Sequence, residues 1–146
     1  MKRILVPLDR TAHAESVVPV VADLARGGGA VVRLLTVTRM PENVLGSEGQ
    51  VIAYTDQEAA RLEADGMDYL HGIEARLDPV PVECAVRFGD PVDEIVREAE
   101  SFGAELIALT GECHRGVLGV ALGRTASRVC LHTPTAVMVF REAERS

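Results

Sequence analysis

The sequence predicts an α/β fold, a doubly wound five-stranded parallel sheet with helices on both faces. Two observations predict it. Apolar strand-like runs and amphipathic helical segments alternate along the 146 residues, with five strands and four helices, as in consecutive β-α units. The apolar runs are nearly continuous in Val, Ile and Leu, as expected of strands buried on both faces. A chain of this length is expected to form one domain, residues 1–146.

The first unit is a short strand followed by a long helix. Residues 4–6 are predicted to be a buried strand, with Pro7 at its end, where a missing amide donor does little harm. Thr11 is predicted to cap a helix whose apolar residues recur at helical spacing. Pro19 lies inside that helix and is expected to bend it one turn earlier. Three glycines at 27–29 are expected to end it.

The next units are less uniform. Residues 31–37 are predicted to be a second buried strand. Residues 38–55 are mixed and polar, with one proline and two glycines, and predict a long loop. An apolar stripe predicts a helix over residues 56–77. Residues 82–86 are predicted to be the third strand, and Asp90 is expected to cap the following helix.

A glycine-rich stretch follows the fourth strand. Leu106–Thr110 is a strand-like run that breaks at Gly111, and a loop over residues 111–123 leads into a helical segment, Arg124–His132. A strand that opens through glycines into a helix N-terminus is a phosphate-binding arrangement, because free amides and the positive end of the helix dipole point the same way. Three arginines add positive charge there: Arg115, Arg124 and Arg128.

Composition limits the classes of molecule that the protein is expected to bind. The formal net charge is −7, which opposes binding to a polyanion such as nucleic acid. Aromatic residues make up 3% of the chain, so few rings are available for stacking with bases. Both observations argue against nucleic acid as a partner. The apolar N-terminal run is too short for a signal peptide, and no membrane-spanning stretch is apparent. Three cysteines without a framework spacing predict reduced thiols and a cytoplasmic location.

No metal site and no catalytic residue are predicted. Two Cys-His pairs occur, but their spacing fits no familiar zinc pattern; they are Cys113 with His114 and Cys130 with His132. Cys130 is interpreted instead as a small core residue, and His13 and His71 as solvated helix residues. Ser127 has no base at a meaningful spacing, so the protein is predicted not to be an enzyme, with a slow ATPase as the weakest alternative.

In doubly wound sheets ligands bind beyond the carboxyl ends of the strands, where the strand order reverses. Three polar or glycine-containing loops follow predicted strands and are the places to expect a site: residues 9–11, 37–40 and 111–123.

Several segments resemble the universal stress protein family over nearly the whole chain. They are residues 3–9 (RILVPLD), 34–37 (LLTV), 102–111 (FGAELIALTG) and the closing part from Gly123 through Thr133-Pro134 to Val139. The resemblance implies a sheet of order 3-2-1-4-5, whose reversal lies between the first and fourth strands. Asp9 is then expected beside Gly111, in agreement with the loops chosen above.

The resemblance also implies a binding site. In the nucleotide-binding branch of that family, adenine is held at the positions of Asp9 and Val37, and ribose near those of Thr110 and Gly111. The predicted site also includes Pro7, at the end of the first strand and two residues before Asp9. Phosphates lie on a loop of the form G-x2-G-x9-G-[S/T].

The sequence keeps part of this loop pattern. Gly111 matches the first glycine, but His114 stands at the second. Eight residues, beginning with Arg115, then precede Gly123, and Arg124 stands where a hydroxyl residue is expected. If nine residues are counted after His114 instead, the glycine position falls on Arg124 and the hydroxyl position falls on Thr125. Arg124 is able to bind the terminal phosphates of a nucleotide through two hydrogen bonds, or to occupy the phosphate site itself. Nucleotide binding and its loss are therefore both compatible with this loop.

These features predict an adenine-nucleotide-binding stress-response module that binds ATP or AMP, with Mg²⁺ accompanying ATP. It is expected to act as a homodimer through the last strand, Ala136–Phe140, which would be an exposed apolar edge in a monomer. The alternative is a module of the same fold that binds no nucleotide and acts through protein–protein contacts.

Overall fold

The fold is a single five-stranded parallel sheet in the order β3-β2-β1-β4-β5. The computed structural model describes residues 2–39, 48–111 and 124–141, with the backbone alone for residues 48–55 and 124. The elements are β1 Arg3–Leu8, α1 Ala12–Glu15, α2 Val18–Gly28, β2 Val31–Thr38, α3 Glu48–Glu74, a 3-10 turn Ala75–Leu77, β3 Val82–Phe88, α4 Pro91–Phe102, β4 Leu106–Thr110, α5 Arg124–His132 and β5 Ala136–Phe140. The predicted sheet, its parallel pairing and its order are confirmed.

Two apolar cores lie on opposite faces of the sheet, because successive strand residues point to opposite sides. On one face Val6 and Leu34 pack with residues of α2 and α3, such as Val21 and Leu70. On the other face Leu5, Leu35 and Ile107 pack with residues of α4 and α5. The prediction of helices on both faces is therefore confirmed.

The first unit differs from its prediction in two ways. Pro7 lies inside β1 rather than after it, and it is tolerated because β1 pairs with β4 only at Ile4 and Leu5, before the proline. The predicted bent helix is two helices: α1 ends at Glu15, and α2 restarts with Pro19 in its first turn. Proline is stable in a first turn, where its missing N–H would be unsatisfied in any case.

The loop prediction for residues 38–55 was wrong at both ends. Strand β2 continues to Thr38, and α3 begins at Glu48, eight residues before its predicted start; residues 40–47 lie outside the described part of the chain. The glycines in this stretch suggested a loop, but one helical glycine costs only about 1 kcal/mol, which a 27-residue helix tolerates.

Helix α4 follows its local signals closely. The Asp90 carboxylate accepts a hydrogen bond from the Asp93 amide at 3.1 Å, and Pro91 is the first helical residue. Gly103 ends the helix with φ 70°, a left-handed conformation that glycine adopts without strain. The predicted cap and start of this helix are confirmed.

The two described cysteines are both free thiols. Cys84 is half-buried and Cys130 is exposed, so the prediction of Cys130 as a core residue was wrong. The buried residues of α5 are Ala126 and Val129, and Cys130 is rotated by about 100° from Val129 around the helix.

None of the helices within the described ranges is both long and apolar enough to cross a membrane.

Candidate functional site

The site begins where two central strands separate. Strands β1 and β2 pair over six residues, from Arg3 to Leu8, whereas β1 and β4 pair only at Ile4 with Leu106 and Leu5 with Ile107. Beyond Leu5 the neighbouring strands no longer share hydrogen bonds, so a gap opens between their carboxyl ends. This gap is at the reversal of strand order, where ligand sites of such sheets lie.

A cavity of about 240 Å³ lies in this gap. Its walls come from the ends of β1, β2 and β4 and from the first turns of α1, α4 and α5. The lining residues are Pro7, Leu8, Asp9, Ala14, Leu35, Val37, Pro91, Ile95, Leu109, Thr110 and Thr125. Most of them are apolar, with one carboxylate and two hydroxyls among them, which is the usual composition of a small-molecule site.

Asp9 is held by the turn that follows β1. Its Oδ1 accepts hydrogen bonds from the Thr11 amide at 3.1 Å and the Thr11 hydroxyl at 2.6 Å. Thr11 in turn caps α1 by accepting from the Ala14 amide at 3.1 Å. Within the described residues Oδ2 of Asp9 accepts no hydrogen bond, so it is available to a donor on a ligand.

Thr110 and Gly111 are tied to the protein's own backbone. The Thr110 hydroxyl donates to the Ala14 carbonyl at 3.1 Å, and the buried Gly111 amide donates to the Phe140 carbonyl at 3.0 Å. The expectation of bare amides at the bend after Thr110 is thus wrong for Gly111 itself. Its amide continues the pairing of β4 with β5, as expected because buried backbone donors are normally paired.

His13 contacts the end of β4, a contact that the sequence interpretation missed. Its Nε2 lies 2.7 Å from the Gly111 carbonyl oxygen, and since a carbonyl oxygen only accepts, Nε2 carries the proton. The ring is half-buried, not solvated as predicted. A histidine in the first turn after Asp9 gave no signal, because only the strand order brings α1 next to the end of β4.

Arg10, which follows Asp9 in the chain, has an unusual backbone conformation. Its φ is 67°, which is uncommon for a side chain larger than glycine and often marks functional loops. Its guanidinium lies 5.6 Å from the centre of the Tyr69 ring, a cation–π contact.

Tyr69 joins α3 to the site's first helix. Its hydroxyl donates to Glu15 Oε2 at 2.7 Å, and Arg76 donates to Oε1 of the same carboxylate at 3.0 Å. Burial raises the pKa of Tyr69, with smaller contributions from the Glu15 hydrogen bond and from the charges of Glu15 and Asp9. The phenol therefore stays protonated and keeps donating throughout the neutral range.

The predicted site residues fall into two groups, those at the cavity and those outside the described part of the chain. Pro7, Asp9, Val37, Thr110 and Thr125 line the cavity, and Gly111 directly follows Thr110. Thr125 is the second residue of α5, so the amino end of that helix lies at the cavity. The other four predictions lie outside the described residues or side chains: His114, Arg115, Gly123 and the side chain of Arg124.

The chain matches known proteins in sequence and in fold. The model of the Universal stress protein family matches residues 1–141. No significant match was found among curated proteins. Among solved structures, the hypothetical protein MJ0577 superposes with a TM-score of 0.79 at 21% identity, covering 99% of this chain and 98% of its own.

Two solved relatives hold adenine nucleotides. A universal stress protein from Archaeoglobus fulgidus in complex with dAMP has a TM-score of 0.60 and 21% identity, covering 95% of this chain and 97% of its own. A universal stress protein in complex with cAMP has a TM-score of 0.65 and 17% identity, covering 97% and 98%. These structures share the fold of this chain. With the family model matching nearly its whole length, the chain belongs to the universal stress protein family.

Proposed function

We propose that this protein binds an adenine nucleotide, ATP or AMP, in the cavity between the ends of β1 and β4, and that it works in the cytoplasm as a homodimer. The observation that carries the proposal is the lining of this cavity, which combines Asp9, apolar side chains and Thr125 at the amino end of α5.

The base fits the apolar side of the cavity. Pro7, Leu35 and Val37 supply flat aliphatic surface, which a purine ring covers without losing hydrogen bonds. The exocyclic amine of adenine is a donor, and Asp9 Oδ2 is a charged acceptor at the edge of that surface. The volume of about 240 Å³ is below the ~300–1,000 Å³ of sites that enclose drug-sized ligands. It therefore suits the base, with sugar and phosphates extending outward.

The phosphates would lie toward α5. A helix N-terminus attracts anions because its first amides lack partners and its dipole is positive there, and Thr125 adds a hydroxyl donor at the cavity wall. The A. fulgidus relative in complex with dAMP supports an adenine nucleotide as the class of ligand. Any Mg²⁺ would enter with ATP.

Binding, not turnover, is proposed. Within the described residues the polar groups that line the cavity are Asp9, Thr110 and Thr125, and two of the three are already hydrogen-bonded to the protein. A hydrolase would need a positioned base and a magnesium carboxylate.

Calorimetric titration with ATP, ADP and AMP tests the proposal. The wild type is expected to bind at least one of them, and Asp9→Ala is expected to weaken binding by about tenfold to a hundredfold, the cost of one charged hydrogen bond. Asp23→Ala is the matched control, because it removes the same charge from the exposed surface of α2. Absence of binding heat with all three nucleotides would reject the proposal in favour of the protein–protein interaction module.

The homodimer proposal rests on β5. This strand lies at the edge of the sheet, and its residues from Val137 to Phe140 are only half-buried. Leu131, just before it in the chain, is 80% exposed. Pairing with a second copy would cover both.

Light scattering over a range of protein concentrations measures the mass directly, and a monomer at all concentrations contradicts the dimer. Leu131→Asp is expected to weaken association, whereas Leu24→Asp, at the other exposed large apolar residue within the described ranges, is expected to leave it unchanged.

A further inference from the structure

Three potential metal ligands converge away from the nucleotide cavity. His71 and Glu74 lie on α3 and Cys84 on β3, and one ligand atom of each lies within 4.8 Å of the other two. The Cys84 thiol already contacts Glu74, donating to Oε1 at 3.5 Å. Within the described ranges no other group of three or more His, Cys, Asp or Glu residues gathers in this way.

The fold holds these side chains on a rigid base. His71 and Glu74 are three residues apart, so they share one face of the helix. Cys84 points to the same face of the sheet as its neighbour Val86, and both pack against the core that contains Leu70. The last turns of α3 are therefore fixed against β3 by buried apolar contacts, and only the ligand side chains themselves need to adjust.

The donor set is specific in its chemistry. One thiolate sulfur, one imidazole nitrogen and one carboxylate oxygen are the three ligand types that zinc prefers, and magnesium and calcium avoid sulfur. Zinc bonds of 2.0–2.3 Å in a tetrahedral site place ligand atoms about 3.3–3.6 Å apart. The ligand atoms lie within 4.8 Å of one another, so a contraction of at most about 1.5 Å brings them into that range.

Charge favours a dication at this position. A thiolate and a carboxylate together neutralise it, with neutral imidazole as third ligand, and the whole chain carries a net charge of −7. Metal ligation requires the thiolate form of Cys84, so binding breaks the Sγ–H bond, forms the Sγ–metal bond and releases one proton to solvent.

We propose that His71, Glu74 and Cys84 form a binding site for a borderline-soft divalent cation of the zinc class. The fourth coordination position faces solvent, because His71 is exposed. A bound ion would link the end of α3 to the edge strand β3 and stabilise this border of the sheet. None of the three residues lines the nucleotide cavity, so this site is independent of the proposed nucleotide binding.

Cobalt titration of the reduced protein tests the site, because Co²⁺ replaces Zn²⁺ in such sites and a thiolate–cobalt bond absorbs in the near ultraviolet. We expect about one Co²⁺ per chain, displaced by Zn²⁺, and a Zn²⁺-dependent rise in Tm of a few degrees. Cys84→Ser is expected to remove the thiolate band and the rise in Tm. His71→Ala is expected to weaken Co²⁺ binding by about tenfold or more.

The controls separate this site from the other thiols. Cys130→Ser and His132→Ala alter an exposed Cys-His pair on α5 and are expected to leave the thiolate band unchanged, as is Cys113→Ser. A band that survives Cys84→Ser, that disappears in Cys130→Ser or Cys113→Ser, or that never forms overturns the proposal. If Cys84→Ser does not fold, His71→Ala decides, because an exposed histidine is replaced without opening the core; unchanged Co²⁺ affinity there overturns the proposal too. Both outcomes are independent of the nucleotide titration.

Discussion

Strands β2 and β3 are covered in two different ways on their two faces. On the α3 face, Leu34 and Val86 pack against Leu70 in a core whose fully buried residues are all aliphatic. On the α4 face, two residues of the same strands are arginines, Arg33 and Arg87, which form ion pairs with glutamates of α4. Neighbouring residues of one strand therefore help to build an apolar core on one side and a charged network on the other.

The charged network is centred on Glu98, whose side chain is only 6% exposed. It accepts from Arg33 at 2.8 Å and from Arg87. Arg87 also pairs with Glu94 at 3.3 Å, and Glu83 pairs with Arg33 at 2.6 Å. The hydrogen bond to Glu98 raises the pKa of Arg87; for Arg33, burial lowers the pKa but the hydrogen bonds to Glu83 and Glu98 outweigh it, so that the pKa is raised.

The position of the covering helix explains the difference. Helix α3 packs on both β2 and β3, whereas α4 packs mainly on β1 and β2. Where a helix covers the whole sheet face, aliphatic side chains fill the interface. At the border of a helix, the sheet is covered by long side chains whose stems are apolar and whose charged ends pair with one another.

The largest effect is expected from the aliphatic face. Leu70→Ala removes a side chain that is 0% exposed and should lower the free energy of unfolding by about 3–4 kcal/mol, through lost burial and the cavity that remains. Urea unfolding in low and high salt measures it. Equal losses in both salts are expected because the contact is apolar; a loss below about 1 kcal/mol would mean that this face repacks.

Glu98→Gln is expected to cost about 2–3 kcal/mol, because Arg33 and Arg87 then lose their charged acceptor in a half-buried site. The same measurement should show a smaller loss at high salt, where the wild-type ion pairs are partly screened. Glu100→Gln, at an exposed position of the same helix, is the control and should change stability by less than about 0.5 kcal/mol. Equal effects of the two substitutions would show that the network contributes nothing to stability.

Two glycines of α3 test how closely the aliphatic face is packed. A Cβ at Gly66 would lie 2.9 Å from Val86 Cγ2 and 3.2 Å from Thr36 Cγ2, whereas at Gly72 it would meet nothing within 4 Å. Gly66→Ala should therefore destabilise by about 1 kcal/mol net, since overpacking exceeds the gain in helix propensity. Gly72→Ala should stabilise by about 1 kcal/mol. Thermal unfolding of both variants measures the difference, and shifts of Tm in the same direction would contradict close packing of α3 on β3.

The smallest effect is expected from Tyr69, whose hydroxyl group lies beside the aliphatic core of the α3 face. Because the pKa of Tyr69 is raised in the folded state, the stability that its neutral hydroxyl contributes is fully present below about pH 10, the pKa of an unfolded tyrosine, and declines as the pH rises above it. Tyr69→Phe should cost about 1 kcal/mol at pH 7 and flatten the decline between about pH 10 and 11. Urea unfolding at pH 7, 10 and 11 measures both, and an unchanged alkaline decline would contradict this role of Tyr69.

Interactions between residues that are close in the sequence were sufficient to predict much of the fold. Asp90, Pro91 and Gly103 define α4 through interactions within a few residues, and continuous aliphatic runs define the buried strands. Asp9 and Val37 were expected at the site because carboxyl ends of parallel strands share one edge of the sheet, and both line the cavity. The sequence by itself thus determined the five strands, the start of α4, the strand order through its family resemblance, and the edge of the sheet at which the cavity lies.

Tertiary structure alone decided which groups meet. His13 reaches the Gly111 carbonyl across 98 positions of sequence, the Gly111 amide is taken by Phe140, and Cys84 lies beside His71 and Glu74. None of these contacts has a local signal, because sequence periodicity fixes which face of an element a residue occupies but not which element lies opposite. That pairing is set by the packing of whole helices on the sheet, a property of the folded chain.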